Sequence, residues 1–324
     1  MNNLRNNRTD LSLWYKNSSA ASTLTILLIL ILMSVGLSIA APAFLRTNNL
    51  LNTARNFSAI AVAGIGVSTV ILTGNIDISV GSIYGLAGVT VALLMKSGVA
   101  VVPAVLIGMA VGGLCGMVNG MLVVFFRLPS FIATLGMMQI VRGICYILTK
   151  GYPVSGIADS FKWIGQEQIL GIPVPIYFMM LFALVFAIFR NRTTTGRRIF
   201  ALGGNEEATR ISGVNTQRLK ILCFVLAGVC AAFAGVINAS KVGVAQPTAG
   251  NGFELDAIAS VIIGGSSMAG GVGTVVGTLI GAAIIGVLRN ALVLLSVDSY
   301  WQTLVMGVVI IFAVTIDQLR KARR

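Results

Sequence analysis

Residues 221–240 read ILCFVLAGVCAAFAGVINAS, a run of 20 residues without a charged side chain. A transmembrane α-helix needs about 20 mainly apolar residues to cross the hydrocarbon layer of a bilayer. Mean hydropathy over the 324-residue chain is +0.92. Charged residues make up only 10% of the chain, which is too few to cover the surface of a soluble domain. The chain is therefore predicted to be an all-α, polytopic membrane protein.

About ten runs of this kind are predicted to be transmembrane helices. They cover residues 24–44, 57–74, 79–96, 100–126, 130–149, 173–190, 218–240, 256–270, 274–296 and 299–317. The first run is longer than the core of a signal peptide, so we expect it to be retained as a span. Residues 1–324 then form one transmembrane domain, with a polar tail over residues 1–20 and a polar loop over residues 191–217.

The formal net charge of +13 is distributed in a way that orients these spans. With the amino terminus inside the cell, 15 of the 23 Lys and Arg residues face the cytoplasm: Arg5, Arg8, Lys16, Arg127, Arg190, Arg192, Arg197, Arg198, Arg210, Arg218, Lys220, Arg320, Lys321, Arg323 and Arg324. Cytoplasmic loops carry an excess of Lys and Arg. Both termini and the 191–217 loop are therefore predicted to be cytoplasmic, and the 150–172 loop to lie along the outer surface. Because the positive charges flank apolar runs and form no single patch, no nucleic-acid partner is expected.

Glycine is concentrated in two of the predicted spans and the turns beside them. These stretches read VSTVILTGNIDISVGSIYGLAG over residues 67–88 and VIIGGSSMAGGVGTVVGTLIGAAIIG over residues 261–286. Small residues let membrane helices approach closely, and Gly277 with Gly281 forms one G-x-x-x-G step. Where glycine adjoins polar residues, a helix broken inside the membrane is a further hypothesis, because such breaks often mark a substrate path. The two halves of the chain cannot be aligned, so an internal duplication is only a hypothesis.

Asp77 is the acidic residue predicted to lie nearest to membrane depth. It has two interpretations: a helix cap, shared with Ser79, for the helix that starts near that residue, or a group that lines the path and carries a proton. Arg142 and Arg289 fall inside predicted spans, and either could pair with it. Other candidate path or helix-break residues are Asn75, Asn119, Gln139 and Asn238. Asn290 is a further candidate, although helix-to-helix hydrogen bonds explain such residues equally well.

Acidic and sulfur-containing residues elsewhere have simpler interpretations. Glu254 and Asp256 stand at the predicted outer start of a helix, where carboxylates suit the helix dipole. The cysteines, Cys115, Cys145, Cys223 and Cys230, lie inside apolar runs without the spacing of a metal site, and the chain has no His. They are predicted to be core residues, and no metal site is expected.

The polar loop contains its own helix signals. Residues 197–220 read RRIFALGGNEEATRISGVNTQRLK. Asn205 can cap a helix by accepting a hydrogen bond from an amide two or three residues further on. Glu206 and Glu207 would occupy the first turn, where negative charge meets the positive end of the helix dipole. Gly213 can adopt the left-handed conformation that commonly ends a helix. A short, self-contained helix is therefore predicted in this loop.

Glu207, Ala208, Thr209 and Gly213 form the pattern E-A-T-x-x-x-G, with Arg210 near the end of the same helix. The pattern resembles the EAA loop of the permease subunits of bacterial ABC importers. Four stretches, GRRIFALGGNEEATRISGVN, AQPTAGNGFELDAIASVIIGGSSMAGGVGTVVGTLIGA, GNIDISVGSIYGLAG and LPSFIATLGMMQIVRGI, are similar to the ribose and simple-sugar branch of these permeases, most of all to its ribose members. The Leu-Pro that follows this glycine in other branches is absent, so their docking geometry does not transfer.

The resemblance implies a non-enzymatic permease, multi-pass in the bacterial inner membrane, that imports ribose or a similar sugar by alternating access. It also implies that residues 205–213 dock into a separate ABC ATPase subunit, which binds ATP and Mg²⁺. Further implied partners are a periplasmic sugar-binding protein, to which Glu254 and Asp256 would contribute, and a second permease copy or related chain. No G-x-x-x-x-G-K-[ST] phosphate loop occurs in this sequence. An ion-coupled secondary transporter that uses Asp77 is the alternative.

Overall fold

The computed structural model describes residues 23–322, apart from the side chains of residues 299, 313 and 316–322. The predicted tail over residues 1–20 and the basic carboxyl end of the sequence, residues 323–324, lie outside the described residues. Within the described part, helices α1 to α13 are Thr23–Ala40 and Thr47–Leu72, Val80–Lys96, Val101–Phe125, Ser130–Thr149, Asp159–Lys162, Val174–Arg192, Thr194–Gly204, Glu206–Ile211, Thr216–Val242, Phe253–Ile263, Val275–Leu294 and Ser299–Ala322. A 3₁₀ turn covers Pro42–Leu45, and a two-stranded antiparallel hairpin pairs β1 (Gln168–Ile169) with β2 (Ile172–Pro173).

Each of the ten predicted spans contains a helix, but the helices differ in length. Among the described residues, seven helices are long and apolar enough to cross a membrane: α1, α2, α4, α5, α7, α10 and α12. The apolar helix α3 has 17 residues, and the apolar part of α13 is Tyr300–Phe312. The chain is thus an all-α, multi-pass membrane protein, in which seven of the ten predicted spans meet this criterion.

Two predicted boundaries differ from the structure by more than the others. Helix α2 begins at Thr47 rather than at residue 57, because its polar first three turns continue the helix before the apolar run starts. Helix α11 has only 11 residues and ends at Ile263, so the predicted span over 256–270 does not form one continuous helix. Gly264 and Gly265 follow that end, and the latter has a left-handed φ of +85°, which an α-helix cannot continue.

Helices α2 and α10 form the centre of the molecule. Helix α10 packs against α2, α3 and α4, and α2 also packs against α7, α11 and α12. Every residue of α2 from Ser58 to Leu72 is buried, which is typical of a helix surrounded by other helices. By contrast, α1, α4, α5, α7 and α13 expose many large apolar side chains, as helices that face lipid do. The core therefore surrounds α2 and α10, with an apolar outer surface.

Helices α11 and α12 approach each other through the predicted G-x-x-x-G step. A Cβ atom added to Gly277 would lie 2.0 Å from the carbonyl oxygen of Gly264, and one added to Gly281 would lie 2.0 Å from that of Ser260. Real Cβ atoms do not approach oxygen this closely, so the two backbones can touch only because both positions lack a side chain.

The loop over residues 150–172 is attached to the ends of α2 and α10. The hydroxyl of Ser240 donates to the carbonyl of Phe161 at 2.6 Å, and Nη2 of Arg55 donates to the carbonyl of Gln166 at 3.2 Å. Phe161 is fully buried. This loop contains α6 and the β1–β2 hairpin, so it is a folded cover over one end of the helix bundle.

Candidate functional site

The polar loop predicted from the sequence folds into two consecutive helices, α8 and α9, which we call the polar arm (residues 194–213). Oδ1 of Asn205 accepts a hydrogen bond from the amide of Ala208 at 2.9 Å, so the predicted cap is present. Gly213 has a φ of +80°, and the amide of Val214 donates to the carbonyl of Thr209 at 3.4 Å, which is the pattern of a glycine-terminated helix. The predicted short helix is confirmed as Glu206–Ile211.

The charges of the polar arm lie on its exposed side. Oε1 of Glu207 and Nη2 of Arg210 are 2.6 Å apart, and both side chains are 63% exposed. The hydrogen bond from Arg210 lowers the pKa of the Glu207 carboxyl, so this group is ionised at neutral pH. Exposed ion pairs of this kind contribute little to stability. Glu206 is paired instead with Lys220 of α10 at 2.7 Å, which links α9 to a central helix.

The other side of the polar arm is buried against the central helices. Ile199 and Leu202 of α8 pack in one cluster with Leu72 of α2 and Phe224 of α10. Burial of side chains of this size stabilises the contact by about 1.5–3 kcal/mol each. Backbone atoms also touch at Gly203, where an added Cβ would lie 1.8 Å from the carbonyl oxygen of Leu72. The arm is thus packed firmly onto the end of α2 and exposes a charged, capped helix.

A groove of about 640 Å³ opens beside α9. It is lined by residues from the end of α4, the start of α5, the polar arm and the start of α10, together with the segment that follows α2. Among them are Asn75, Arg127, Ser130, Glu206, Arg210 and Lys220. The predicted path residue Asn75 therefore lies at the same surface as the predicted docking helix.

Helix α2 is followed by a non-helical segment, residues 73–79, before α3 begins at Val80. Oδ1 of Asp77 accepts hydrogen bonds from the amide of Ser79 at 2.9 Å and from its hydroxyl at 2.6 Å. The amide Nδ2 of Asn119 in α4 donates to the same hydroxyl at 2.8 Å. All three side chains are fully buried. The predicted side-chain cap is not formed, because no side chain accepts a hydrogen bond from the first amides of α3. Asp77 instead binds Ser79, the residue that precedes the helix. The predicted helix break is present.

Two polar atoms of this cluster, Oδ2 of Asp77 and Oδ1 of Asn119, have no hydrogen-bond partner among the described residues, and the same holds for Oγ of Ser82 in the first turn of α3. Buried polar groups are normally paired. The break is also held by α5, because Oγ of Ser130 and Oγ1 of Thr134 accept hydrogen bonds from the amides of Ile76 and Ile78 at 3.2 and 3.3 Å.

The two arginines considered as partners of Asp77 are both engaged elsewhere. Nη1 of Arg142 donates to the carbonyl oxygens of Pro247 and Ala249 at 2.6 and 2.7 Å. Nη2 of Arg289 forms an ion pair with Asp256 at 2.7 Å. Neither arginine therefore pairs with Asp77, and an ion pair between spans is found instead between α11 and α12.

The candidate docking residues Glu254 and Asp256 differ in accessibility. Asp256 is only 5% exposed, and its carboxylate is occupied by Arg289. Glu254 is half-buried, and its Oε1 accepts from the amide of Gly252 at 3.3 Å. The geometry accounts for both carboxylates by contacts inside the molecule, and their docking role stays a prediction.

Of the remaining candidate path residues, Gln139 is the exposed one. It is the tenth of the 20 residues of α5, and its side chain lies on the exposed side of that helix. Asn238 is half-buried beside Tyr84 and Gln246 in a small cavity. Asn290 is bonded to Asn49 at 2.9 Å, so it forms the helix-to-helix hydrogen bond that was the alternative to a path role.

Sequence reasoning missed two features of this region. Helix α8 was not predicted, although Thr193, whose side chain accepts from the amide of Gly196 at 3.0 Å, is a visible cap signal. Arg190 was assigned to a cytoplasmic boundary, but it is 2% exposed, and its Nη2 donates to the carbonyl of Ile65 at 2.9 Å. No local pattern distinguishes such a buried arginine from a boundary charge.

The bundle of apolar helices, the broken helices inside it and the packed polar arm together define an integral membrane protein with a folded polar projection. Residues 49–314 match the family described as "Branched-chain amino acid transport system / permease component". Because this match covers most of the sequence, the chain belongs to that family of permease components.

Curated relatives resemble nearly the whole chain. It is 43% identical over 301 residues to the ribose import permease protein RbsC of Escherichia coli K12, covering 92% of this chain and 94% of the relative. It is 43% identical over 295 residues to RbsC of Bacillus subtilis, covering 90% and 92%. The D-allose transport system permease protein AlsC of Escherichia coli K12 is 40% identical over 296 residues, with 91% of each chain covered. No solved structure matches the chain.

Proposed function

We propose that this chain is the permease subunit of an ATP-driven importer that moves ribose or a similar simple sugar by alternating access. The observation that carries the proposal is the polar arm, in which a capped helix with exposed charges is packed onto the end of the central helix α2. Such a rigid projection suits docking to a motor protein, and a transporter driven only by ion gradients has no need for it. The sugar is supported by the relatives named for ribose and allose.

The arm would dock into a separate ABC ATPase, which binds ATP and Mg²⁺, so the permease itself carries out no chemistry. Asn205 and Gly213 would keep the docking helix rigid by forming its two ends, and Glu207 and Arg210 would present charge to the partner. Residues Glu206, Ala208, Thr209 and Ile211 complete that helix. The groove beside it, which includes Arg127, would extend the contact surface.

The proposed orientation places the arm and both termini in the cytoplasm of a bacterium, with about ten helices in the inner membrane. The excess of Lys and Arg near the arm supports this orientation. The cover over residues 150–172 and the start of α11 would then face the periplasm. A sugar-binding protein would deliver its ligand on that side, where Glu254 is the more accessible of the two candidate carboxylates.

Gln139 is our leading candidate for the sugar path. A primary amide that faces hydrocarbon loses its hydrogen bonds, which costs several kcal/mol. The exposed residues of α4 are instead all apolar: Val102, Pro103, Leu106, Ile107, Ala110, Leu114, Val118 and Phe125. The exposed face of α5 also has Gly136 and Gly143 with open space in front of them. We infer that this face lies against a second permease copy, with the path between the two. Asn75, Asp77, Ser79, Asn119 and Asn238 are more enclosed and would support the path rather than line it.

Reconstituted transport tests this function. The chain would be placed in proteoliposomes with an ABC ATPase and a sugar-binding protein from the same genome, and uptake of labelled ribose would be measured with and without internal ATP. We expect uptake only when all three proteins and ATP are present, with allose, arabinose and leucine as competitors that define the cargo. Uptake by the chain alone under an imposed proton or sodium gradient would contradict the proposal and favour ion coupling through Asp77. Strong competition by leucine with no effect of sugars would indicate that the transported substrate is a branched-chain amino acid and not a sugar.

A further inference from the structure

Three backbone segments meet at one point beneath the polar arm. The amide of Gly271, in the loop between α11 and α12, donates to the carbonyl oxygen of Leu72 at 2.9 Å. Gly203, near the end of α8, lies directly over this bond. A Cβ added there would be 1.8 Å from the oxygen of Leu72 and 2.4 Å from the nitrogen of Gly271. The arm therefore contacts both broken helices through backbone atoms, with no flexible side chain between them.

The two helices that end near this point end in the same way. In α2, the amide of Gly74 donates to Ile71 at 2.9 Å, and the next amide donates to Val70 at 3.3 Å. In α11, the amide of Gly265 donates to Ile262 at 2.9 Å, and the next amide donates to Val261 at 3.1 Å. Gly74 and Gly265 have φ values of +73° and +85°. Both ends are thus left-handed glycine caps of one type.

The sequences at these ends also correspond. Residues 70–75 read VILTGN, and residues 261–266 read VIIGGS. This type of cap pairs the carbonyls of the first two residues of each stretch and leaves the third without an intrahelical partner. In α2 the third carbonyl is that of Leu72, and the amide of Gly271 supplies its partner. The repeated cap therefore creates the acceptor through which the second break is bonded to the first.

We propose that Gly203 is a positioning residue for transport, because it seats the polar arm on the bond between Leu72 and Gly271 and so makes both helix breaks move with the arm. This inference rests on the proposed function. A movement delivered by the ATPase to α9 would pass through α8 to the end of α2 and, across one hydrogen bond, to the loop before α12. Packed elements respond to such displacements by switching between discrete arrangements rather than by bending.

The substitution Gly203→Ala, with Gly204→Ala as its matched control, tests the inference. Both glycines lie in the last turn of α8, and both changes add one methyl group to the same helix. An added Cβ at Gly204 meets nothing within 4 Å, whereas at Gly203 it meets two backbone atoms that cannot rotate away. We expect Gly203→Ala to lower the number of sugars imported per ATP hydrolysed by about tenfold, because overpacking displaces the arm from the break. Gly204→Ala should keep the wild-type ratio.

The ratio is measured on complex purified through the permease, because free ATPase could hydrolyse ATP without any transport. In that preparation, simple destabilisation does not change the ratio, since permease that does not fold assembles with no ATPase and contributes to neither activity. Gly203→Ala protein that reaches the membrane, binds the ATPase and retains the wild-type ratio would overturn the inference. If the Gly203→Ala variant does not fold, amide hydrogen exchange measured on the wild-type complex tests the inference instead. Residues 70–76 and 264–274 should then change their exchange together when nucleotide binds to the partner. A change in the polar arm alone, with neither break affected, would also overturn it.

The outcomes separate this inference from the proposed function. Wild-type protein that shows no ATP-dependent uptake contradicts the function itself. Wild-type protein that transports, combined with an unchanged ratio in Gly203→Ala, contradicts only the role of this contact.

Discussion

Nη1 of Arg142, in α5, donates to the carbonyl oxygen of Pro247 at 2.6 Å, across 105 residues of sequence. The same nitrogen donates to the carbonyl of Ala249 at 2.7 Å, and Nη2 lies 3.4 Å from the carbonyl of Gly81. The guanidinium thus holds the non-helical segment between α10 and α11 against the start of α3. A buried arginine here replaces the backbone hydrogen bonds that this segment lacks.

Arg142→Met should lower the stability of the protein. Each buried carbonyl left without a donor costs about 1–3 kcal/mol, so the apparent melting temperature in detergent should fall clearly below that of the wild type. The melting temperature of Arg142→Lys should fall less than that of Arg142→Met, because an ammonium group keeps the charge and can still donate hydrogen bonds. It should remain below that of the wild type, because lysine lacks the planar guanidinium that serves several acceptors. Arg127→Met, at an exposed position, is the control and should melt with the wild type. Equal melting of all variants would show that the carbonyls find other donors.

Asp77→Asn should leave substantial ATP-dependent uptake. Asn retains an acceptor oxygen for the amide and the hydroxyl of Ser79, which Asp77 now serves. Asp77→Ala should be destabilised by about 1–2 kcal/mol, because both hydrogen bonds lose their acceptor. Ser82→Ala, in the first turn of α3, is the control, since its buried hydroxyl has no partner in the described part of the chain. Uptake that is abolished by Asn and sustained by Glu would identify Asp77 as an ion carrier.

Gly213→Val should weaken coupling without affecting sugar binding. Valine must adopt a φ of +80° at this position, and a strained residue of this type costs about 1–3 kcal/mol. Gly213→Asn is the matched control, because Asn tolerates the left-handed region better than a β-branched residue. ATPase co-purification, ATP hydrolysis and uptake would be compared in proteoliposomes. If Val and Asn behave alike in all three assays, the end of α9 has no role in docking.

Gln139→Cys should cross-link between two copies of the chain. In a background without the four native cysteines, oxidation or a short bifunctional thiol reagent would join residues that face each other across a two-fold axis. Val118→Cys is the control, because it lies on the apolar exposed face of α4 and should face lipid. Cross-linking through Val118→Cys in α4, with none through Gln139→Cys in α5, would show that the second copy packs against α4 instead.

Thiol labelling tests the proposed orientation. Ser160, in α6, and Thr194, at the start of α8, are both exposed. In the same cysteine-free background, a cysteine at 160 should react with an impermeant reagent on intact cells, and a cysteine at 194 should react only after lysis. The reverse pattern would put the polar arm outside the cell and contradict docking to an ATPase.

Local patterns in the sequence predicted much of this protein. The apolar runs predicted an all-α membrane protein because about 20 consecutive apolar residues are what a helix needs to cross the hydrocarbon core of a bilayer. Asn205 and Gly213 predicted α9 because capping depends only on residues within one turn. The ATPase-docking role of that helix and the path role of Gln139 stay predictions, since each depends on a partner molecule.

The tertiary structure determined which residues come into contact although they are far apart in the sequence. The sequence named Arg142 and Arg289 as possible partners of Asp77, but folding paired the first with backbone carbonyls and the second with Asp256. The close backbone contact at Gly203 could not be predicted from the sequence either, because its neighbours, Leu72 and Gly271, lie 131 and 68 residues away along the chain. The capacity to form hydrogen bonds and the lack of a side chain are properties of a single residue and can be read from the sequence. The hydrogen-bond partners of that residue, and the backbone atoms packed against it, are brought there only by the packing of the whole bundle.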